Sequence, residues 1–338
     1  MNVLLAGGLG YIGSHIAVEL LENNHNVIIA DDLSNSKIDV VNSIKTITGK
    51  EFKFYDFDLK NYDNVEKIFA ENKLDAVIHL AGYKAVGESC KEPLMYYENN
   101  LLTTINTMKC MKKFGVDLIV FSSSATVYDA NQPMPLDENA NLKPCNPYGR
   151  TKFFIEEMLR DEVASNSNIR AIILRYFNPI GAHASGLIGD DPNGIPNNLL
   201  PFISRVVTGK LEFLSVFGND YPTKDGTGVR DYLHVVDLAN AHLKALEYMD
   251  KHKETKIEYF NIGTGNGCSV MDIVNAYNEV CGGKVKYKIA ERRSGDVAVI
   301  YANPNKANNI LDWHANYTIK EMCASSYNYE NNKRDNEE

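Results

Sequence analysis

An apolar stretch, Asn2-Val3-Leu4-Leu5-Ala6, runs without a spacer into Gly7-Gly8-Leu9-Gly10-Tyr11-Ile12-Gly13, and that loop opens directly onto an amphipathic segment from His15 to Leu21. A short buried strand that ends in glycines and turns at once into a helix is the start of a βαβ unit, and the next strand must then lie parallel to the first. The loop satisfies both G-x-G-x-x-G and G-x-x-G-x-x-G. Glycines at such a turn let the backbone approach a pyrophosphate at the helix N-terminus, where free N–H groups and the helix dipole favour negative charge. Asp31 closes the next apolar run, Val27 to Ala30, about 20 residues beyond the loop, where a carboxylate can bond ribose hydroxyls. An unphosphorylated ribose suits that acid, so the cofactor expected is NAD rather than NADP. A bare glycine turn beside a surface aspartate would explain either feature alone, but not strand, loop, helix and acid in register.

The first half goes on alternating short β-branched runs with helical stretches, with strands predicted over Val3–Ala6, Val27–Ala30, Phe52–Tyr55, Ala76–Leu80, Leu118–Phe121 and Ala171–Leu174. The pattern predicts an α/β fold, a Rossmann-type doubly wound parallel sheet. At 338 residues the chain exceeds what one core usually serves, which predicts a second, smaller α/β lobe toward the C-terminus. From Phe177 to about Arg230 the texture turns to glycine, proline and asparagine and reads as functional loops. A helix over His234–Tyr248, a strand over Tyr259–Ile262 and a helix from Ser269 follow. The expected division is 1–176 for the dinucleotide domain, with 232–262 returning to it, 177–231 and 263–330 for the substrate domain, and 331–338 as a flexible tail.

A formal charge of −9 disfavours nucleic acid and anionic lipid as partners, so any nucleotide site has to be local. No apolar run approaches the ~20 residues that span a bilayer. The N-terminus carries no signal-peptide pattern. Six cysteines, at positions 90, 110, 145, 268, 281 and 323, stand far apart without zinc-ligand spacing, which predicts reduced thiols, a cytoplasmic location and no metal site.

The fifth predicted strand ends in Ser122-Ser123-Ser124-Ala125-Thr126, and Tyr148-Gly149-Arg150-Thr151-Lys152 follows downstream. On a helix Tyr148 and Lys152 share a face. A free phenol has a pKa of about 10, too high for a base at neutral pH, but an ammonium and an oxidised nicotinamide beside it would favour phenolate. Ser124 can share a hydrogen bond with a sugar hydroxyl and steady a developing alkoxide. A tyrosine and lysine at this spacing recur by chance in many helices; here they follow a serine-rich strand end and a dinucleotide loop. The combination resembles the short-chain dehydrogenase/reductase superfamily, in its extended branch that acts on nucleotide sugars.

Within that branch, longer strings resemble the UDP-glucose 4-epimerase family over nearly the whole chain: His79-Leu80-Ala81-Gly82-Tyr83-Lys84-Ala85-Val86-Gly87-Glu88-Ser89, Arg175-Tyr176-Phe177-Asn178-Pro179, Gly194-Ile195-Pro196-Asn197-Asn198-Leu199, and Gly218-Asn219-Asp220-Tyr221-Pro222 through Arg230-Asp231-Tyr232. The resemblance implies that, besides the glycine loop (Gly7, Gly10, Gly13), NAD is contacted by Tyr11, Ile12, Asp31, Asn35, Asp58, Leu59, Lys84, Asn99, Ser122, Tyr148, Lys152 and Phe177. It implies that Asn178, Asn198, Leu199, Phe217, Arg230, Arg293 and Asp296 hold the UDP part of a UDP-sugar, with Ser124 at the reacting hydroxyl and Ile300 lining the sugar pocket. The two arginines are the residue type suited to forked phosphate contacts. The implied reaction has Tyr148 taking the proton of the 4-hydroxyl while carbon 4 gives hydride to a tightly held NAD. The 4-keto sugar then turns over and takes the hydride back on its other face. A homodimer is implied as well, with the helices over Asn99–Phe114 and Phe153–Val163 as apolar candidates for the contact.

Some positions depart from the family pattern. Ala6 stands where a threonine is common, Asp129 where a glycine is, and Ile300 lies between the tyrosine of narrow enzymes and the small residue of those that accept N-acetylated sugars. Partial activity on UDP-GlcNAc and UDP-GalNAc is the expectation. A related dehydratase would need an acid and a base at the fifth strand's end, where Ala125-Thr126 offers no carboxyl group. A decarboxylase would not be expected to carry the Gly218 to Tyr232 run. A catalytically silent NAD-binding regulator is the reading from another class, and the intact Ser124, Tyr148 and Lys152 speak against it.

Overall fold

A computed structural model of the protein describes residues 1–337 apart from 166, 167, 195, 197, 294 and 295, with side chains as far as residue 333. In chain order its first part holds β1 (Asn2–Ala6), α1 (Tyr11–Glu22), β2 (Asn26–Asp31), α2 (Asp39–Thr48), β3 (Lys53–Asp56), α3 (Tyr62–Glu71), β4 (Ala76–His79), α4 (Val86–Lys91), α5 (Pro93–Phe114), β5 (Leu118–Ser122), α6 (Pro147–Ala164) and β6 (Arg170–Tyr176). The second part holds β7 (Asn178–Ile180), α7 (Leu199–Val207), β8 (Leu214–Phe217), β9 (Val229–His234), α8 (Val235–Lys251), β10 (Ile257–Ile262), β11 (Gly267–Ser269), α9 (Val270–Cys281), β12 (Tyr287–Ala290), β13 (Val299–Ile300), α10 (Asn305–Ile310) and α11 (Ile319–Glu337).

The main sheet is parallel throughout, in the order β10-β6-β5-β4-β1-β2-β3. Strands covered by helices on both faces read as unbroken apolar runs, and β4, β5 and β6 are buried at every position. The strand order reverses between β1 and β4, the place where open α/β sheets bind ligands beyond the carboxyl ends of their strands. This is the predicted Rossmann-type sheet with a seventh strand, β10. α8 joins it, its buried face sharing one apolar cluster with α1, and Asn240 donates to Glu19 at 2.8 Å. β9 pairs with β7, β11 and β13 in a separate small sheet, so the return to the first lobe starts at α8 rather than at residue 232.

The second lobe packs α7, α9 and α11 around Leu200, Ile203, Val216, Tyr232, Ile273, Tyr277 and Met322. Two expectations are corrected here. The segment 177–230, read as loops, contains α7 and β8, because Leu200, Ile203 and Val206 form a helical stripe that the flanking prolines and asparagines obscure. The expected tail from residue 331 continues α11 to Glu337. Buried Met322, Cys323 and Ser326 seat the preceding turns, and Lys333 is anchored to Asp191 at 2.6 Å. Among the described residues no helix is long and apolar enough to cross a membrane.

Candidate active site

The three fingerprint glycines are needed for different reasons. Gly7 sits at φ +81°, and a Cβ there would come within 2.8 Å of Ala81 backbone. A Cβ on Gly13 would lie 2.6 Å from the Gly7 carbonyl oxygen, so this glycine lets α1 press on the loop. Gly10 is different: as N-cap of α1 it has ordinary backbone angles, no side chain caps the helix, and a Cβ would meet nothing nearer than 3.8 Å. The protein itself gives no reason for a glycine there. The space it leaves clear lies over unpaired helical N–H groups, which fits the pyrophosphate of a dinucleotide. Asp31, 8% exposed, accepts from Leu9 N at 2.9 Å, Leu33 N at 3.1 Å and Ser36 Oγ at 2.7 Å. Burial pushes its pKa up and these donors pull it back. A carboxylate has lone pairs left for a ribose diol.

The other predicted cofactor residues ring the same ends of the strands. Tyr11 is buried and donates to Gly181 O at 2.7 Å; Lys84 Nζ lies 5.9 Å from the centre of its ring. Ile12 is half-buried, Leu59 and Phe177 are buried, and Asn99 is buried on α5, donating to Asn100 at 3.1 Å. Asp58 accepts from Lys60 N at 2.8 Å. Asn35 is exposed on the loop after β2.

α6 delivers the predicted catalytic pair. The Asn146 side chain caps its first turn by accepting from Gly149 N at 2.8 Å, and Pro147 fixes its start. The Tyr148 phenol lies beside Ser124, whose hydroxyl takes bonds from Thr126 N at 3.2 Å and Thr126 Oγ1 at 3.0 Å. Lys152 Nζ donates to Ser122 O at 2.8 Å and lies 6.0 Å from the centre of the Tyr148 ring. Both side chains are more than nine-tenths buried. Burial pushes the Tyr148 phenol up to about 12 against the nearby Ser124 hydroxyl, and pushes Lys152 down to about 8 against the Glu156 carboxylate. The Ser122 hydroxyl is turned away, to His242 Nε2 on α8 at 2.8 Å.

Of the predicted sugar-nucleotide residues, Arg230 and Asp296 are bonded to each other at 2.9 Å, and Arg230 also donates to Val229 O and Val297 O. The Arg293 guanidinium stacks 3.9 Å over the Phe217 ring. Ile300 pairs with Arg230 across β13 and β9 and packs against the cluster of Ala125, Val127 and Phe177. Leu199 opens α7, and Asn198 donates to Asp190 at 2.9 Å. Asn178 is exposed at the start of β7. Ile195 and Asn197 of the quoted string lie outside the described residues.

A family model described as the NAD dependent epimerase/dehydratase family matches residues 3–263. The chain belongs to that family. Among curated members it is 52% identical to the UDP-glucose 4-epimerase of Bacillus subtilis (strain 168), over 98% of this chain and 97% of that one. It is 48% identical to the UDP-glucose 4-epimerase uge1 of Schizosaccharomyces pombe, over 97% of this chain and 94% of the other. A solved structure of UDP-glucose 4-epimerase from Bifidobacterium longum in complex with NAD+ and UDP superposes with a TM-score of 0.95 at 44% identity, covering 99% of each chain.

The fold of this epimerase/dehydratase family member also joins residues that no sequence motif announced. Asp191 joins three parts of the fold: Lys37 from the loop after β2, Arg205 of α7 at 3.6 Å and Lys333 of α11 at 2.6 Å. Its carboxyl is held below the usual range by hydrogen bonds from Lys333 and Lys37 that outweigh burial. Neighbouring Asp190 reaches Lys84 at 4.0 Å, and Asn193 donates to Ser34 O at 3.1 Å. The segment is thereby tied across the loop that follows Asp31. Partners so far apart in sequence leave no local signal. Three partly exposed pairs amount to about 1–2 kcal/mol together. Asp191→Asn is therefore expected to release nucleotide roughly tenfold faster. Cofactor content after repeated gel filtration measures this, and unchanged retention would remove the role.

Proposed function

We propose that the chain interconverts UDP-glucose and UDP-galactose by inverting carbon 4 of the sugar, with NAD as a resident cofactor. One observation carries the reading: a buried phenol beside Ser124, with the Lys152 ammonium 6.0 Å from the centre of its ring, next to a helix N-terminus that Gly10 leaves clear. When bound, NAD supplies a hydride acceptor that returns the same hydride. Tyr148 takes the proton of the 4-hydroxyl, Ser124 holds the oxygen as charge develops, and Lys152 favours the phenolate. Gly7, Gly10, Tyr11, Ile12, Gly13, Asp31, Asn35, Asp58, Leu59, Lys84, Asn99 and Phe177 hold NAD, and Ser122 acts through its carbonyl on Lys152. Asn178, Asn198, Leu199, Phe217, Arg230, Arg293 and Asp296 hold UDP, which stays fixed while the 4-keto hexose turns over. Denaturing the purified protein, identifying the released nucleotide and assaying UDP-galactose conversion without added cofactor tests the whole reading. A silent regulator would release NAD yet turn over nothing.

Ile300 tunes the sugar pocket. Its branched side chain is shorter than a tyrosine ring, which supports weak turnover of UDP-GlcNAc and UDP-GalNAc. Ile300→Gly is expected to raise that activity relative to UDP-glucose, and no turnover of either N-acetylated sugar by wild type would end the claim.

The protein forms a homodimer through α5 and α6. Leu94 is 80% exposed on the first turn of α5, and the exposed Phe154 of α6 lies 6.0 Å from the Tyr97 ring, so both helices feed one apolar patch. Leu94→Glu with Phe154→Glu is expected to give a monomer in light scattering. Six free thiols support a cytoplasmic location.

A further inference from the structure

Three consecutive residues at the end of β5 each meet a different turn of α6. Ser122 accepts from Lys152 through its carbonyl, Ser124 stands beside the Tyr148 phenol, and the hydroxyl between them, Ser123 Oγ, donates to the Glu156 carboxylate. Tyr148, Lys152 and Glu156 stand at i, i+4 and i+8, on one face of the helix. A Cβ on Gly149 would lie 2.7 Å from Thr126 O, so the helix backbone is pressed onto the segment that follows those serines. Glu156 is 1% exposed and receives the Arg175 fork, with Nη2 at 2.6 Å and Nε at 3.1 Å. Arg175 in turn donates to Tyr128 Oη and to Glu138 O, each at 3.1 Å.

We propose that Glu156, set by Ser123 and Arg175, is a positioning residue for the proton transfer: it fixes the register of the catalytic face of α6 against β5 and supplies the negative charge that keeps Lys152 an ammonium. Docking alone does not call for these groups, since a buried ion pair is often matched or bettered in stability by an apolar pair of similar volume. What an apolar pair would lack is charge one turn behind Lys152. That carboxylate opposes the effect of burial on the lysine. A hydrogen bond from the serine next to the one that holds Lys152 leaves the strand end little freedom to slide along the helix.

The proposal rests on the reading that Tyr148 and Lys152 carry the chemistry, so Tyr148→Phe is assayed beside the test variants Ser123→Ala and Glu156→Gln. Each is characterised for bound NAD, melting, kcat, KM for UDP-galactose and the pH dependence of kcat. Ser123→Ala is expected to lower kcat roughly tenfold through loss of register, with KM and NAD content unchanged. Glu156→Gln is expected to move the alkaline limb of kcat about one unit lower, because the ammonium loses its proton sooner without the carboxylate. A purely structural role would lower the melting temperature and leave kcat and the limb in place, and that result overturns the proposal. So does Ser123→Ala with kcat within twofold of wild type, whether or not Glu156→Gln folds. If Tyr148→Phe keeps its activity, the underlying reading fails; if it is inactive while both test variants match wild type, only the present inference fails.

Discussion

Tyr148→Phe is expected to lose about a thousandfold or more in kcat while keeping its bound NAD, the upper part of the range for removing a positioned general base. The substitution deletes one oxygen from a ring that is 7% exposed and leaves the packing of α6 intact. Ser124 keeps its two bonds from Thr126, so the strand end has no cause to rearrange. KM for UDP-galactose should change little, because the groups assigned to UDP lie on other elements. The check is a steady-state assay paired with spectrophotometric nucleotide content. A variant within tenfold of wild type, with cofactor bound, would remove the phenol from the proton transfer and shift attention to Ser124.

How much of this was legible in the sequence depended on whether the physics involved was local. The turn from β1 into α1 must be built from neighbouring residues, so Gly7, Gly10, Gly13 and Asp31 stand in readable order, and the same holds for Tyr148 and Lys152 one turn apart. β10 was visible as a strand, but its place beside β6 is a tertiary fact. The composition around α7 hid a helix because its stripe is short and its flanks are rich in breakers. Ser122 was read as a cofactor contact. Its hydroxyl is turned to His242, 120 positions away, and only its carbonyl faces Lys152. The Asp191 junction and the Glu156–Arg175 pair escaped for the same reason: each looks like an ordinary solvated charge until the fold supplies its partners. The resemblance to a family carried residue roles where spacing could not, as for Arg293, whose stacking on Phe217 joins β8 to the loop before β13.

Lys152→Met tests the electrostatic half of the site, and here the pH dependence is more telling than the loss at any one pH. In the folded chain burial holds the Tyr148 phenol at about 12, so a working base needs help from positive charge. An ammonium 6.0 Å from the ring centre contributes about 2–3 kcal/mol toward phenolate at an effective dielectric near 20, or about two pK units. Removing it is expected to lower kcat about a hundredfold at pH 7. The slope at higher pH differs between the two proteins. Wild type needs phenolate and ammonium together, and Lys152, pushed down to about 8, gives up its proton first as the solution becomes alkaline, so from there its alkaline limb stops gaining from phenol ionisation and levels off. The variant has no ammonium to lose; its rate climbs with pH as the phenol ionises unaided, and the deficit narrows. Matching profiles for the two, offset by a constant factor, would mean that Lys152 acts by holding Ser122 or the cofactor rather than by its charge.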